Sequence, residues 1–172
     1  MKVKDAMLGA PYYCQPEATV ATAAELMSKA NCGFLPVQSA EGIVISVITD
    51  RDICISLGTR NRPAGEVTVA EVMSGDLYFC SPEDDIHLAL QTMREAKVRR
   101  LPVTAHNGML VGVLSMDDIL FRAKPVSSGK EPELSSDEVV RTFRSIVRRG
   151  VRGVMASRTV CSRIEIFQSN AS

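Results

Sequence analysis

The sequence predicts an α/β (α+β) fold: two β-α-β-β-α repeats packed with pseudo-twofold symmetry, plus a C-terminal helix. Three observations carry this. First, the chain from Lys2 to Ser56 recurs without a gap 66 positions later. Val69 falls on Val3, Met73 on Met7, Cys80 on Cys14, Leu101-Pro102-Val103 on Leu35-Pro36-Val37 and Asp118-Ile119 on Asp52-Ile53. Second, each copy alternates a helical apolar stripe with short strands. Third, a unit of about 55 residues is marginal alone, so two copies gain by burying matching faces. Paired clefts beside the axis are then natural ligand sites. Residues 1–60 form the first repeat, 61–123 the second, and 124–172 a linker, a basic amphipathic helix and a tail.

Each repeat reads in the same order. A short strand comes first, Tyr12 to Cys14 and Leu77 to Cys80, and a proline then opens a helix at Pro16 and Pro82. The stripes Val20, Ala23, Ala24, Met27, Ala30 and Ile86, Ala89, Leu90, Met93, Ala96 define the buried helix faces. Strands Phe34 to Val37 and Arg100 to Val103 follow, parallel to the first because a helix separates them. Tight turns end in Gly42 and Gly108, the second as Asn-Gly, a strong hairpin signal. The returning strands are Ile43 to Ile48 and Met109 to Leu114. Short helices from Asp50 to Leu57 and from Met116 to Ala123 close the units. Gly58 to Pro63 reads as the inter-repeat linker and Lys124 to Leu134 as a looser one. A last helix runs from Ser135 to Arg149. Ser135 and Glu138 form its capping box, Val139, Val140, Phe143, Ile146 and Val147 its apolar face, and Gly150 and Gly153 its end. Val154 to Ser172 has no clear period.

Composition narrows the function classes. At 45% hydrophobic and 23% charged, with formal net charge zero, the chain reads as globular with no global field for nucleic acid or membrane. The charge is uneven: from Val139 onward there are seven arginines (Arg141, Arg144, Arg148, Arg149, Arg152, Arg158, Arg163) against Glu165 alone. No apolar run approaches a membrane span of about 18 residues, and no apolar segment follows Met1 to Asp5 as in a signal peptide. Five cysteines without CxxC spacing imply reduced thiols and a cytoplasmic setting. His87 and His106 lack a second ligand at metal spacing, so neither a metal nor a required cofactor is expected. Neither has a nucleophile partner, and no Gly-rich phosphate loop occurs, so the chain is read as no enzyme.

The chemistry-bearing motif closes each hairpin: Thr49-Asp50-Arg51-Asp52 and Ser115-Met116-Asp117-Asp118. A hydroxyl at a helix mouth can donate to phosphate while the backbone N–H groups favour an anion. A carboxylate three residues on can accept from two ribose hydroxyls. The same pattern is also a plain capping box, and that reading stays open here.

The repeated lead-ins Val3-x-Asp5-x-Met7 and Val69-x-Glu71-x-Met73, the Leu-Pro-Val strands, the Gly turns and Thr/Ser-x-x-Asp together resemble the tandem CBS (cystathionine beta-synthase) module, or Bateman module, over Lys2 to Ala123. The resemblance implies two clefts about a pseudo-twofold axis, pairing into a disc-like homodimer, and binding of adenosine-containing ligands such as AMP, ADP, ATP or S-adenosylmethionine. It implies that Asp52 and Asp118 take ribose hydroxyls, Thr49 and Ser115 touch phosphate, and Val47 and Val113 flank the base. It implies that the opposite repeat completes each cleft. Cys14, Gln15, Cys32 and Phe34 would face the base held by repeat two; Cys80, Ser81, Val98 and Arg100 would face the base held by repeat one. Ordinary core packing is the alternative for the apolar members. Arg99 and Arg100 stand where the family reaches phosphates, or else are solvated cations. Repeat one has Gly33-Phe34 there, so the clefts are unequal.

The reading is a regulatory module that senses an adenine nucleotide and signals to a protein partner by conformational change. The alternatives are a ligand-free dimerisation scaffold, or a nucleic-acid-associated protein acting through the Arg-rich segment. That segment has no interleaved aromatics for stacking bases, which counts against nucleic acid.

Overall fold

Side-chain acceptors, not the prolines, decide where the long helices begin. In a computed structural model, which describes residues 1–126 and 132–147, α1 spans Val20–Lys29. Its cap is Thr19, whose Oγ1 accepts from Thr22 N at 3.2 Å. The corresponding helix of the second repeat starts at Ile86, capped by Asp85, whose Oδ1 accepts from His87 N at 2.8 Å. The expected starts at Pro16 and Pro82 are thus corrected by four residues. Both prolines lie in turns ahead of the cap, where the absent N–H is harmless. On α1, Val20, Ala23 and Met27 are buried, but Ala24 is exposed.

The opening strands shrink for a related reason. Cys14 makes only a single parallel bridge to Val37, and Cys80 one to Val103. Cys14 N donates to Pro36 O (3.1 Å) and Gln38 N to Cys14 O (2.9 Å). The next rung would need an N–H from residue 36, and proline has none. Pro102 stops the second copy in the same way, with Cys80 N to Pro102 O at 3.1 Å. Tyr12, Tyr13 and Leu77 to Phe79 therefore lie outside any strand. The expected parallel relation survives in the bridges.

The hairpins form as expected, with each first strand one residue longer and each returning strand shifted one residue on. A two-residue strand, β1 (Leu8–Gly9), precedes them. In the first repeat β2 (Phe34–Gln38) pairs with β3 (Val44–Thr49), followed by α2 (Asp50–Arg60). In the second, α3 (Ile86–Ala96) leads to β4 (Arg100–Thr104), β5 (Leu110–Ser115) and α4 (Met116–Arg122). Both hairpins shift register at the same repeat position, Val37/Gln38 and Val103/Thr104. Gly58 lies inside α2, so the linker begins only at Asn61, which ends the helix in a left-handed conformation.

The sheets are β2-β3 and β1-β5-β4. Strand β1 was not expected: Leu8 and Gly9 pair antiparallel with Val113 and Gly112 of the other repeat. Gly112 permits this, since a Cβ there would stand 2.8 Å from Met7 Sδ and 2.9 Å from Leu8 O. In the first repeat Ser46 occupies that place and its hydroxyl donates to Ser74 O at 2.6 Å.

The lead-ins are exchanged between repeats. Val3 N donates to Asp84 O and Lys4 N to Pro82 O, both at 3.0 Å, and Val3 and Ala6 enter the core of the second repeat. Reciprocally, Val69 N donates to Ala18 O (2.8 Å) and Ala70 N to Pro16 O (2.9 Å), and Val67 and Val69 enter the core of the first. The hairpin tips also meet, through an Ile43–Met109 bridge and Val44 N to Gly108 O at 3.0 Å.

Helix α5 (Ser136–Val147) packs on α3 and α4. Ser135 Oγ accepts from Glu138 N (3.2 Å), but the Glu138 carboxylate binds His87, so the expected reciprocal box is half made. The expected apolar face holds in part: Val139 and the unexpected Thr142 are buried and Ile146 packs half-buried on the core, whereas Val140, Phe143 and Val147 are exposed. The expected helix end at Gly150 and Gly153, the tail 154–172, Cys161 and linker residues 127–131 lie outside the described residues.

Candidate functional site

At each hairpin end the strand hands its last residue to a helix as N-cap. Thr49 Oγ1 donates to Asp52 Oδ2 at 2.6 Å, Thr49 N donates to the same oxygen at 3.0 Å, and Asp52 N returns to Thr49 Oγ1 at 3.3 Å. Ser115 and Asp118 repeat this at 2.5, 3.0 and 3.1 Å. Both motifs are therefore complete capping boxes. The cap uses one oxygen of each carboxylate. Among the described residues Oδ1 of Asp52 and of Asp118 makes no hydrogen bond, and both side chains are half-buried. Each mouth thus holds its helix with one carboxylate oxygen and leaves the other without a hydrogen bond among the described residues.

The surroundings of the two mouths differ. In the second repeat Arg100 pairs with Ser115 across the ladder, and Met116 N donates to Arg99 O at 2.9 Å. The Arg99-Arg100 backbone thus lies directly beside the start of α4. Arg99 is exposed and Arg100 half-buried. In the first repeat Phe34 pairs with Thr49, and Asp50 N donates to Gly33 O at 3.3 Å. The Asp50 carboxylate lies over Gly33, where a Cβ would clash with Oδ2. One mouth is flanked by Arg100 at the start of β4 and Arg99 just ahead of it; the other carries a carboxylate above a glycine.

A depression of about 310 Å³ opens beside Asp118, lined by Ala6, Asp117, Asp118, Phe121 and Arg122. Sequence reasoning missed four of these. Asp117 adjoins the motif, and Phe121 and Arg122 follow Asp118 by three and four residues, one helical turn on. That spacing could have found them. Ala6 arrives only through lead-in exchange and left no local signal.

The remaining candidates sit as follows. Val47 and Val113 are half-buried on β3 and β5, opposite Pro36 and Pro102. Cys14 and Cys80 are buried, with Sγ 3.9 and 4.0 Å from Pro36 O and Pro102 O. Burial pushes the Cys14 thiol up to about 11; burial, with Asp84 adding to it, pushes Cys80 up to about 12. Both are protonated at neutral pH. Phe34 is buried, and Cys32, half-buried, directs Sγ to Phe34 O at 3.3 Å. Gln15 is exposed, Val98 half-buried, and Ser81 N is tied to Asp84 Oδ2 at 2.8 Å. Hydrogen bonds thus gather Thr49, Asp52, Val47, Phe34, Cys32 and Cys14 about one hairpin. Ser115, Asp118, Val113, Arg99, Arg100 and Cys80 gather about the other.

Among the described residues no group of three His, Cys, Asp or Glu side chains could hold a metal ion. No helix there is long and apolar enough to cross a membrane.

Comparison with known proteins bears on the family and the fold. The CBS domain family profile matches twice, at residues 3–58 and 69–124. The CBS domain-containing protein YhcV of Bacillus subtilis is 35% identical over 117 residues, 68% of this chain and 81% of that protein. Of the uncharacterized protein MK0525 of Methanopyrus kandleri, 28% identical over 105 residues, the chain spans only 54%. Among solved structures, the CBS domain pair of protein MJ0100, in complex with 5-methylthioadenosine and S-adenosyl-L-methionine, superposes with a TM-score of 0.63 at 22% identity, covering 69% of this chain and 92% of that one. CBS domain protein PAE2072 of Pyrobaculum aerophilum, complexed with AMP, gives 0.63 at 24% identity, covering 71% and 92%.

Proposed function

Because this chain belongs to the CBS domain family, carrying two copies of that domain, we propose that it is a regulatory module that binds an adenosine-containing ligand and signals by conformational change. The observation that carries this is the pair of helix mouths in which Asp52 and Asp118 each keep Oδ1 free of hydrogen bonds among the described residues. In support, Asp118 opens on a depression of about 310 Å³, at the lower end of small-ligand pockets. The structural neighbours MJ0100 and PAE2072 were solved with adenosine-containing ligands.

In this reading Asp52 and Asp118 accept ribose hydroxyls. Thr49 and Ser115 turn toward phosphate, releasing their own aspartates. Val47 and Val113 flank the base. Cys14, Gln15, Cys32 and Phe34 line one cleft, and Cys80, Ser81, Val98 and Arg100 the other. Arg99 and Arg100 set phosphate affinity, so the cleft they serve takes the phosphorylated ligand. A ligand would shift the angle between repeats about the hairpin tips joined at Ile43 and Met109. A homodimer fits the exposed apolar residues Ile55 on α2 and Phe121 on α4, which share a repeat position. A self-complementary pair of such surfaces suits a twofold axis. The module has no catalytic role in this account and sits in the cytoplasm.

A second reading has its own observation. Both hydroxyl–carboxylate pairs are already complete as caps, as a ligand-free scaffold would need. A thermal-shift screen of AMP, ADP, ATP, NAD and S-adenosylmethionine separates the two. A ligand at a hundred times its dissociation constant stabilises by about 2.7 kcal/mol, roughly 5–10 °C for a chain this size. No shift with any adenosine compound favours the scaffold.

A further inference from the structure

His87 sits in the first turn of α3, and its ring is placed between two oxygens of the C-terminal segment. Nδ1 lies 2.8 Å from Glu138 Oε1 on α5, and Nε2 lies 3.0 Å from the carbonyl oxygen of Glu133, just ahead of α5. Both partners accept hydrogen bonds. A neutral imidazole has one N–H and can satisfy one of them; its other nitrogen then turns a lone pair on an oxygen about 3 Å away. Imidazolium donates to both. The geometry suits the charged ring.

The groups around it favour the same state. On α3 the cap residue Asp85 is two positions away; on α5 there is Glu138; ahead of α5 there is Glu133, whose carboxylate pairs with the amino group of Met1. The one cation among them is thus already matched to its own carboxylate. Lys124 meets this segment through its backbone, Lys124 N donating to Leu134 O at 3.0 Å. The hydrogen bond with Glu138 raises the affinity of His87 for its proton above the ordinary value, with Asp85 adding to the effect.

Otherwise α5 is held by a narrow strip: Val139 and Thr142 are buried and half-buried Ile146 packs on the core of the second repeat, while Val140, Phe143 and Val147 are exposed. At its far end Lys97 Nζ donates to Ser145 O at 2.9 Å and reaches Ser145 Oγ at 3.0 Å. The His87–Glu138 pair is partly exposed and so modest in strength, but it is the part of this docking that depends on pH.

We propose that His87 is a pH-responsive latch, which clasps α5 to the second repeat when protonated and loosens it when neutral. The sign follows from the raised proton affinity. The contribution is fully present below the ordinary histidine value of about 6.5 and is lost as pH rises through the raised one. This inference concerns a helix outside both CBS repeats and does not depend on a ligand in the clefts.

The test is backbone amide hydrogen exchange on the full chain at about pH 5.5 and about pH 8, expressed as protection factors so that intrinsic exchange cancels. The His87 ring is titrated by NMR alongside. In the wild type, protection of α5 relative to β4 and β5 should fall several-fold at the higher pH, and His87 should titrate above its ordinary value. His87→Gln, at an exposed site, should give a flat profile. Lys97→Ala should lower α5 protection at both pH values yet keep the pH response. Equal α5 protection at both pH values in the wild type, an undiminished response in His87→Gln, or a His87 titration at or below the ordinary value would each overturn the latch.

Discussion

Val3 and Val69 occupy the same position in the two repeats, and each is fully buried in the core of the other repeat. Truncating Val3 to Ala removes two methyl groups from a cluster that includes Ile86, Met93, Leu101 and Ile119. One buried methyl lost, as in Ile→Val, costs about 0.5–1.5 kcal/mol, so two cost about 1–3 kcal/mol. Near 2 kcal/mol, the midpoint of thermal unfolding should fall by roughly 4–8 °C. The denaturant slope should stay unchanged, because the fold is the same. The location of the damage is the sharper test. Native-state hydrogen exchange should show lost protection in α3 and β4, 83 or more positions from the substitution, with α1 and β2 much less affected. Val69→Ala should give the mirror image. If Val3→Ala instead loosens α1 and β2, or costs under about 0.5 kcal/mol, the exchanged lead-in is wrong.

Gly108 and Gly42 both turn with positive φ, +80° and +81°, but a Cβ on Gly108 would stand 3.1 Å from Ile43 Cγ2 across the joined hairpin tips. Gly108→Ala should therefore cost about 1–3 kcal/mol in urea unfolding, more than Gly42→Ala, whose nearest neighbour is the flexible Met109 Cε at 3.8 Å. Thiol labelling should follow burial: iodoacetamide near pH 8 should modify exposed Cys54 quickly. Cys14 and Cys80, buried and held protonated up to about 11 and 12, should react only on unfolding. Prompt labelling of Cys14 in the folded chain would contradict the placement of its sulfur at Pro36 O.

The gapless repeat made the hairpins, the glycine turns and the Thr49–Asp52 and Ser115–Asp118 pairs legible, because each is local and occurs twice. Pro16 and Pro82 are helix-start signals by type, yet the starts lie four residues on, because the side chains of Thr19 and Asp85 supply the caps. The curtailed opening strands could have been read from Pro36 and Pro102, since the missing N–H that stops the ladder is written in the sequence. The exchange that carries Val3 and Ala6 into the second repeat could not, since apolar periodicity says which face is buried and not against what. The same limit hid Ala6 at the depression beside Asp118 and left Val140, Phe143 and Val147 misassigned as core. Their stripe is apolar, yet α3 and α4 cover only its Val139 and Thr142 side.

Calorimetric titration of the full chain with adenosine ligands, before and after Asp52→Asn, Asp118→Asn and both together, bears most directly on the role given to the two helix mouths. Asparagine at this third helical position keeps an oxygen to accept from the N-cap backbone and removes the charge offered to ribose. A hydrogen bond to a charged acceptor contributes about 1.5–3 kcal/mol, so each change should weaken binding in its own cleft by about 10- to 150-fold, and the double variant should show that loss in both clefts. Unaltered affinity in the double variant would contradict the account.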